Sequence, residues 1–237
     1  MNRRLRTVAV VGPDGAGKST VVAALPAALP VSTRTVYLGV NLEASRSMLP
    51  TTRLALEIKR RGRGRPVLTA RFDGPGHGRR GILGGARRTL RLVAWMAEEW
   101  YRAVVVLNHT RSGHLVICDR HFLCDYHAEA VAPRAGRSIL SRIHGWQLGH
   151  LYPRPDLVVV LDAPAEILHA RKNEDDLDSL ARRRREYLAL QDVLPAVVVI
   201  DATQPLDAVV AAVAAAIVDH LPDTVGAGGT AAPSEAG

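Results

Sequence analysis

The feature that most constrains the fold is a glycine-rich segment directly after a short β-branched run. Thr7 to Val11 has the composition of a buried strand, and residues 12–20, GPDGAGKST, satisfy the pattern G-x-x-x-x-G-K-[ST]. Between a strand and a helix, this pattern is typical of a loop that holds the phosphates of a nucleotide. The residues of this loop predicted to bind the cofactor are Gly12, Asp14, Gly15, Ala16, Gly17, Lys18, Ser19 and Thr20.

Each residue type in this segment has a chemical reason to be there. Glycine permits backbone conformations in which the loop amides and the positive end of the following helix point at an anion. Lys18 adds a mobile positive charge for the β and γ oxygens, and the hydroxyl of Ser19 can ligate Mg²⁺. The sequence therefore predicts ATP and Mg²⁺ as cofactors, with Lys18 as a catalytic residue.

Four further apolar runs predict strands, and segments with helical periodicity lie between them. The runs are Thr35 to Leu38, Leu115 to Cys118, Leu157 to Leu161 and Ala196 to Ile200. Continuous apolar strands that alternate with helices indicate a parallel sheet covered on both faces. The predicted fold class is α/β, a parallel five-stranded sheet flanked by helices.

The helices and loops between the strands can be outlined in part. Leu90 to Val105 carries apolar residues at helical spacing and predicts an amphipathic helix beside the sheet. A first helix begins near Lys18, and Pro26, which has no amide proton, is expected to end or kink it near Leu25. Residues 60–65, which read RRGRGR, and residues 74–85, with six glycines, predict basic loops.

The composition favours one soluble domain. The chain has 237 residues, 47% of them hydrophobic, and no stretch approaches the roughly 20 apolar residues of a membrane span. We expect a single domain over residues 1–222 and a disordered tail over residues 223–237. Two cysteines are too few for a disulfide framework, which favours a cytoplasmic location. The net charge of +8 favours anionic partners without choosing among them.

A second acidic position follows one of the predicted strands. Asp119 comes directly after Leu115 to Cys118, and an apolar strand beside the first strand would bring this carboxylate close to a bound Mg²⁺. Ser19 and Asp119 are therefore the predicted metal ligands. The N-K-x-D and D-x-x-G motifs of signalling GTPases do not occur at suitable positions, which argues against that class.

With these motifs the chain resembles the thymidylate kinase-like group of nucleoside monophosphate kinases. The resemblance covers most of the chain except Gly39 to Arg80, and it implies a P-loop kinase architecture with a short lid, ATP-dependent phosphoryl transfer and a homodimer. Besides the loop, it rests on Asp119-Arg120-His121 where the family has Asp-Arg-Tyr, Pro155 to Leu157 continuing to Asp162, Ala170-Arg171, Tyr187-Leu188, and Ile200 to Ala202.

The resemblance also implies roles for individual residues. Arg120 would grip the phosphate of the acceptor, and Asp14 would touch an acceptor hydroxyl. A lid over about residues 171–185 would cover the donor phosphates, with Arg171 as a catalytic residue and Arg182 and Arg184 as cofactor-binding residues. The catalytic set is then Lys18, Asp119, Arg120 and Arg171. The arginines at 182–185 are equally consistent with the solvated face of a helix.

The match to this family fails where the acceptor would bind. The family has an Arg-Glu-Pro signature after its second strand, whereas this chain has Tyr37 to Asn41, and Trp95 to Trp100 contains no arginine where the family places one. We therefore expect a divergent acceptor-side insertion over about residues 40–85.

Three hypotheses about the acceptor remain open. The leading one is a small phosphorylated acceptor, a nucleoside monophosphate, which would need cationic clamps. The alternative is a hydroxyl of a nucleoside or of a non-nucleotide metabolite, which would need a general base. The third and least favoured is an ATPase coupled to nucleic acid through the arginines of residues 60–65 and 79–91. The candidate clamps are Arg53, Arg71, Arg79, Arg80 and Arg120, and the candidate bases are Asp119, Asp14, Glu98 and Glu99.

Overall fold

The computed structural model describes residues 5–39, 49, 82–125, 139–173 and 175–221, and for residues 82–91 and 139–141 it describes the backbone alone. Most of the predicted insertion at 40–85, the basic loop 60–65 and the predicted tail lie outside the described residues. The same is true of the candidate clamps Arg53, Arg71, Arg79 and Arg80.

Five parallel strands form a single sheet at the centre of the fold. In space the strands follow the order β2-β3-β1-β4-β5, so β1 lies in the middle with β3 and β4 as its neighbours. Each predicted apolar run is a strand, within two residues at either end, which confirms the predicted fold class. The strands are β1 (Thr7–Val11), β2 (Thr33–Tyr37), β3 (Leu115–Asp119), β4 (Leu157–Asp162) and β5 (Val197–Asp201).

Helices connect the strands. They are α1 (Lys18–Ala28), α2 (Ile82–Arg111), α3 (Ile139–His150), α4 (Ala165–Arg171), α5 (Leu177–Leu188), which continues into a 3₁₀ turn (Ala189–Asp192), and α6 (Leu206–Asp219). A further helical turn occupies residues 122–125 after β3. Among the described residues, none of these helices is long and apolar enough to cross a bilayer.

Two helix boundaries differ from the sequence-based expectations. Helix α1 extends through Pro26 to Ala28, because the burial of its Val21, Val22 and Leu25 outweighs one missing amide hydrogen bond near its end. Helix α2 begins at Ile82, inside the predicted loop 74–85. A glycine within a helix costs only about 1 kcal/mol, and a long helix propagates cooperatively through such positions.

The two faces of the sheet carry separate hydrophobic clusters. Along β1, Val8 and Val10 pack on the face covered by α1 and α6, whereas Ala9 and Val11 pack on the opposite face with Trp95 and Val106 of α2. These four residues of β1 are fully buried, and only Thr7 at its start is partly exposed. This double burial explains why the strand reads as a continuous apolar run rather than an alternating one.

The topology brings particular loops together at the carboxyl edge of the sheet. Because β1 and β3 are parallel neighbours, Val10 lies in register with Asp119, and the segments after both strands emerge side by side. In open α/β sheets, ligands bind outside the carboxyl ends of the strands, where neighbouring connections diverge. The glycine-rich segment after β1 and Asp119 at the end of β3 lie at such a point.

Candidate active site

The glycine-rich segment packs against β4 and α4 so closely that two of its glycines cannot be replaced without movement. Gly12 has a φ of 144°, and a Cβ there would lie 2.5 Å from the carbonyl oxygen of Leu161. Gly15 has a φ of 88°, and a Cβ there would lie 2.6 Å from the carbonyl oxygen of Leu168. Both contacts are to backbone atoms, so the shape of the loop depends on these glycines.

The start of α1 leaves its first amides without intrahelical partners. Gly17 caps the helix in a left-handed conformation with no side-chain cap, and the amide of Val21 donates to the carbonyl oxygen of Gly17 at 3.0 Å. The preceding amides of the first turn point out of the helix end. No acidic residue stands in that turn. The loop therefore presents amides and a positive helix end, which suits an anion such as a phosphate.

Lys18 is buried at this helix start. Its Nζ donates a hydrogen bond to the carbonyl oxygen of Pro13 at 2.5 Å and lies 3.8 Å from Oδ1 of Asp14. Burial and the nearby charge of Arg120 lower the pKa of Lys18 to about 8, although Asp14 opposes the shift. The ammonium group therefore remains mainly protonated near neutral pH, and a bound phosphate would favour its charged form further.

Ser19 and Asp119, the two predicted metal ligands, are in direct contact. The hydroxyl of Ser19 donates to Oδ2 of Asp119 at 2.8 Å. The other carboxylate oxygen of Asp119, Oδ1, is buried and has no hydrogen-bond partner among the described residues. A hydroxyl and a carboxylate with an unsatisfied oxygen form a donor set that fits a hard divalent cation such as Mg²⁺.

Three cations surround the carboxylate of Asp14. Arg120 donates to its Oδ1, which Lys18 also approaches, and Nη1 of Arg183 lies 3.7 Å from its Oδ2. Burial alone would raise the pKa of Asp14, but Arg120, Lys18 and Arg183 together outweigh it and hold the pKa at about 2. Three cations therefore share the carboxylate of Asp14 at the mouth of the glycine-rich loop.

The backbone of Arg120 is strained. Its φ is 67°, the only positive φ of a residue other than glycine in the described part of the chain, and its amide donates to the carbonyl oxygen of Val10 at 3.0 Å. A left-handed conformation costs a residue with a Cβ about 1–2 kcal/mol. Such strain commonly marks a functional turn, and here it directs the side chain from the end of β3 onto Asp14.

The arginines of the predicted lid take different directions. Nη1 of Arg171 donates to the carbonyl oxygen of Ala202 at 2.8 Å, and Arg184 forms two hydrogen bonds with Asp162, at 2.7 and 2.8 Å. The side chain of Arg182 is 57% exposed and lies 3.8 Å from Glu186. None of these three contacts Asp14. The arginine of α5 that does so is Arg183, a member of the run that was not singled out from the sequence.

Asp125, which sequence reasoning missed, lies among the same charges. It lies in the helical turn after β3, and its Oδ1 accepts a hydrogen bond from the hydroxyl of Tyr187 on α5 at 2.9 Å. Its Oδ2 is buried and has no hydrogen-bond partner among the described residues. Burial raises the pKa of Asp125, although Arg120, the bond from Tyr187, Lys18 and Arg183 all act in the opposite direction.

A second group of charged side chains is buried on α2. We call Glu98, Glu99, Arg102 and His144 of α3 the α2 cluster. Arg102 is fully buried, donates to the carbonyl oxygen of Gly39 at 2.9 Å and to Glu98 at 3.4 Å, and lies over the ring of Phe122. The only sequence signal for Arg102 is its position four residues after Glu98, on one face of a helix.

The carboxylate of Glu99 in the α2 cluster is engaged on both oxygens. Oε1 accepts a hydrogen bond from Nε1 of Trp95 at 2.6 Å, and Oε2 lies 2.7 Å from Nε2 of His144. His121, which stands where the thymidylate kinase-like group has Tyr, packs edge-on against Tyr152 close by. Burial lowers the pKa of His121 to about 4, so its imidazole is neutral near neutral pH.

Comparisons with known proteins inform the fold. No family model matches the chain, and no curated protein matches it. Among solved structures, it is similar to a deoxyadenosine kinase from M. mycoides, whose structure holds the product dCMP and a flexible dCDP. The TM-score is 0.52 at 14% sequence identity, over 90% of this chain and 99% of the other. At this identity the similarity establishes the fold alone, that of a P-loop kinase.

Proposed function

We propose that this protein is an ATP-dependent phosphotransferase that moves the γ-phosphate to a small-molecule acceptor. The observation that carries the proposal is the contact of Ser19 with Asp119 next to buried Lys18, at the end of a loop shaped for an anion. Phosphoryl transfer is catalysed mainly by positioning and by neutralising the charge of the migrating group, and these residues supply both.

The chain's own residues have distinct tasks in this proposal. The loop amides and the start of α1 hold the donor phosphates, and Lys18 exchanges its bond to Pro13 for the β and γ oxygens. Arg120 and Arg183 stabilise the negative charge that develops on the transferred group. Ser19 and Asp119 would hold Mg²⁺, which when bound supplies charge neutralisation across the β- and γ-phosphates.

The acceptor is proposed to be a nucleoside or a related small molecule. The similarity to a deoxyadenosine kinase supports an acceptor of this kind. The fully engaged carboxylates of Asp14 and Glu99 limit where such an acceptor finds hydrogen-bond partners. Deoxynucleosides, nucleosides, their monophosphates and sugars are therefore the first compounds to test.

The test is to incubate the full chain with ATP, Mg²⁺ and each acceptor, and to identify the product by mass. We expect an acceptor that gains one phosphate while ATP becomes ADP, and no product when Lys18 is replaced by Ala. An additional reaction with single-stranded oligonucleotide tests the ATPase hypothesis. ATP hydrolysis stimulated only by the oligonucleotide, with no phosphorylated small molecule, would contradict the proposed function.

A further inference from the structure

The structure decides among the carboxylates that were candidates for a general base. A base needs an oxygen free to receive a proton and a pKa raised toward the working pH. Asp14 meets neither requirement. Arg120 and Lys18 lie at its Oδ1, Arg183 lies at its Oδ2, and its pKa is held at about 2.

Asp119 is better suited to metal binding than to taking a proton. One of its oxygens already accepts a hydrogen bond from the hydroxyl of Ser19, a second group that can ligate a cation, and the other is buried without a hydrogen-bond partner among the described residues. A carboxylate that ligates a divalent cation is a poor base, because the cation stabilises its deprotonated form.

Glu98 and Glu99 of the α2 cluster are committed to structural partners. Glu98 accepts from Arg102 and, through Oε2, from the amide of Leu49 at 3.1 Å. Both carboxylate oxygens of Glu99 are engaged, by Trp95 and by His144. Protonating either residue would break a buried hydrogen bond, which makes both unsuited to repeated proton transfer.

Asp125 also keeps an oxygen unengaged at the cationic end of the site, and unlike Asp119 it is not in contact with Ser19. Tyr187 fixes Oδ1, which orients the group, while Oδ2 is buried without a hydrogen-bond partner in the described part of the chain. Among the described residues, the groups that act on it electrostatically come from three neighbouring elements: Arg120 after β3, Lys18 at the start of α1, and Arg183 and Tyr187 on α5. These are the residues gathered around the site of phosphoryl transfer.

We propose that Asp125 is the general base of this phosphotransferase, and that the acceptor is a small molecule phosphorylated on a free hydroxyl group. The proposal rests on the ATP-dependent transfer proposed above and names its substrate class. Burial raises the pKa of Asp125, which is the direction that a general base requires.

The chemical step balances with ATP as the donor. The acceptor oxygen forms a bond to the γ-phosphorus, and the bond from that phosphorus to the β–γ bridging oxygen breaks. The electron pair of the broken bond leaves with ADP, and the proton of the acceptor hydroxyl moves to Oδ2 of Asp125, from which it passes to water. Arg120 and Arg183 face the charge that develops on the transferred group.

The charge around Asp125 favours a hydroxyl over a phosphate as the acceptor. Arg120, the predicted clamp for an acceptor phosphate, is already paired with Asp14. Asp125 places another carboxylate beside it, and an incoming dianion would be repelled by both acids. A neutral hydroxyl meets no such repulsion and offers the proton that Oδ2 lacks. Because Oδ2 is buried, the acceptor reaches it only when a neighbouring side chain moves. Arg183 and Tyr187, which both lie on α5, are such neighbours.

The test combines product identity with substitutions of Asp125 in the full chain. Nucleosides, deoxynucleosides, sugars and nucleoside monophosphates are each supplied with ATP and Mg²⁺. With the hydroxyl acceptor so found, Asp125→Asn should lower kcat about 10²- to 10⁴-fold while the KM for ATP stays within about threefold. Asp125→Glu should recover part of the loss. The matched control is Asp219→Asn, an exposed acid at the far end of α6.

The pH profile supplies a readout that a structural role would not move. The unsubstituted protein should lose kcat/KM toward acid with the protonation of one group, because a protonated carboxyl cannot accept the proton. If Asp125→Asn does not fold, Asp125→Glu and this profile decide. The absence of an acid limb in the unsubstituted protein would overturn the proposal.

The outcomes separate this inference from the proposed function. Three outcomes would show that the assignment of Asp125 is wrong while the transferase proposal stands. They are conversion of a nucleoside monophosphate to a diphosphate, failure to phosphorylate any hydroxyl compound, and a folded Asp125→Asn variant whose kcat stays within about threefold. If ATP donates phosphate to none of the compounds and Lys18→Ala leaves ATP binding unchanged, the proposed function itself is wrong, and the assignment of Asp125 is wrong with it.

Discussion

The glycine-rich loop and the α2 cluster differ in how their charged side chains are paired. At the loop, Lys18, Arg120 and Arg183 all lie within 4 Å of the carboxylate of Asp14, so three cations share one close anionic partner. In the α2 cluster, each carboxylate is matched inside the protein, Glu98 by Arg102 and Glu99 by His144 and Trp95. An excess of cations is suited to receive a phosphate, whereas a balanced buried group is suited to hold α2, α3 and the end of β2 together.

The largest expected effect is the loss of activity on substitution of Lys18. Lys18→Ala removes a buried cation whose strongest partner is a backbone carbonyl, so it should cost little stability and lower kcat about 10³-fold or more. Steady-state kinetics and thermal unfolding measured on the same sample check both halves of the statement. Arg34→Ala on the exposed edge strand β2 is the control, with both quantities unchanged. If Lys18→Ala lost as much stability as activity, the loop would not differ from the α2 cluster in this respect.

Arg102 should behave in the reverse manner. Arg102→Ala leaves Glu98 buried without its cation, and removal of one partner of a buried pair costs about 3–5 kcal/mol in the free energy of unfolding. Arg102→Met, which keeps most of the volume, should be destabilised too, because the missing charge rather than the cavity is the cause. Chemical denaturation measures both variants. A methionine variant as stable as the unsubstituted protein would show that packing alone holds this region.

The two regions also differ in how much of their structure could be predicted from the amino-acid sequence. The strands, the loop over residues 12–20 and Asp119 are local signals, because each lies in one short stretch of apolar or motif residues. The choice of Arg183 over its neighbours is not local. Consecutive residues of a helix point about 100° apart, and only the packing of α5 determines which one faces Asp14.

Asp125 and Arg102 were missed for a related reason. Asp125 becomes distinctive through Tyr187, which lies 62 positions further along the chain, and Arg102 through the carbonyl oxygen of Gly39. Neither partner leaves a pattern near the residue it defines. The predicted roles of Arg171, Arg182 and Arg184 stay predictions, since the structure directs their side chains to Ala202, Glu186 and Asp162.

Asp14 should give the loop its pH dependence. Its pKa of about 2 lies below the ordinary value of 3.8, so the stabilisation it provides is present above about pH 4 and is lost as the pH falls through about 2. The amount is about 2 kcal/mol. The free energy of unfolding of Asp14→Asn should therefore differ from that of the unsubstituted protein near neutral pH, and the difference should shrink as the solution is acidified. A difference independent of pH would mean that Asp14 stabilises the loop through shape rather than charge.

The smallest expected effect tests whether α5 belongs with the loop. Tyr187→Phe removes the hydrogen bond to Oδ1 of Asp125 and should cost about 1–2 kcal/mol in the free energy of unfolding. Because that bond stabilises the charged carboxylate, its loss should also raise the pKa of Asp125 and move the acid limb of the activity profile to higher pH. Tyr152→Phe is the matched control, since its hydroxyl makes only a 3.4 Å contact with the carbonyl oxygen of Glu99. If the acid limb of Tyr187→Phe stays in place while its stability falls, the Tyr187 contact is structural, like those of the α2 cluster. If the acid limb shifts, α5 is linked to the charged groups around the loop.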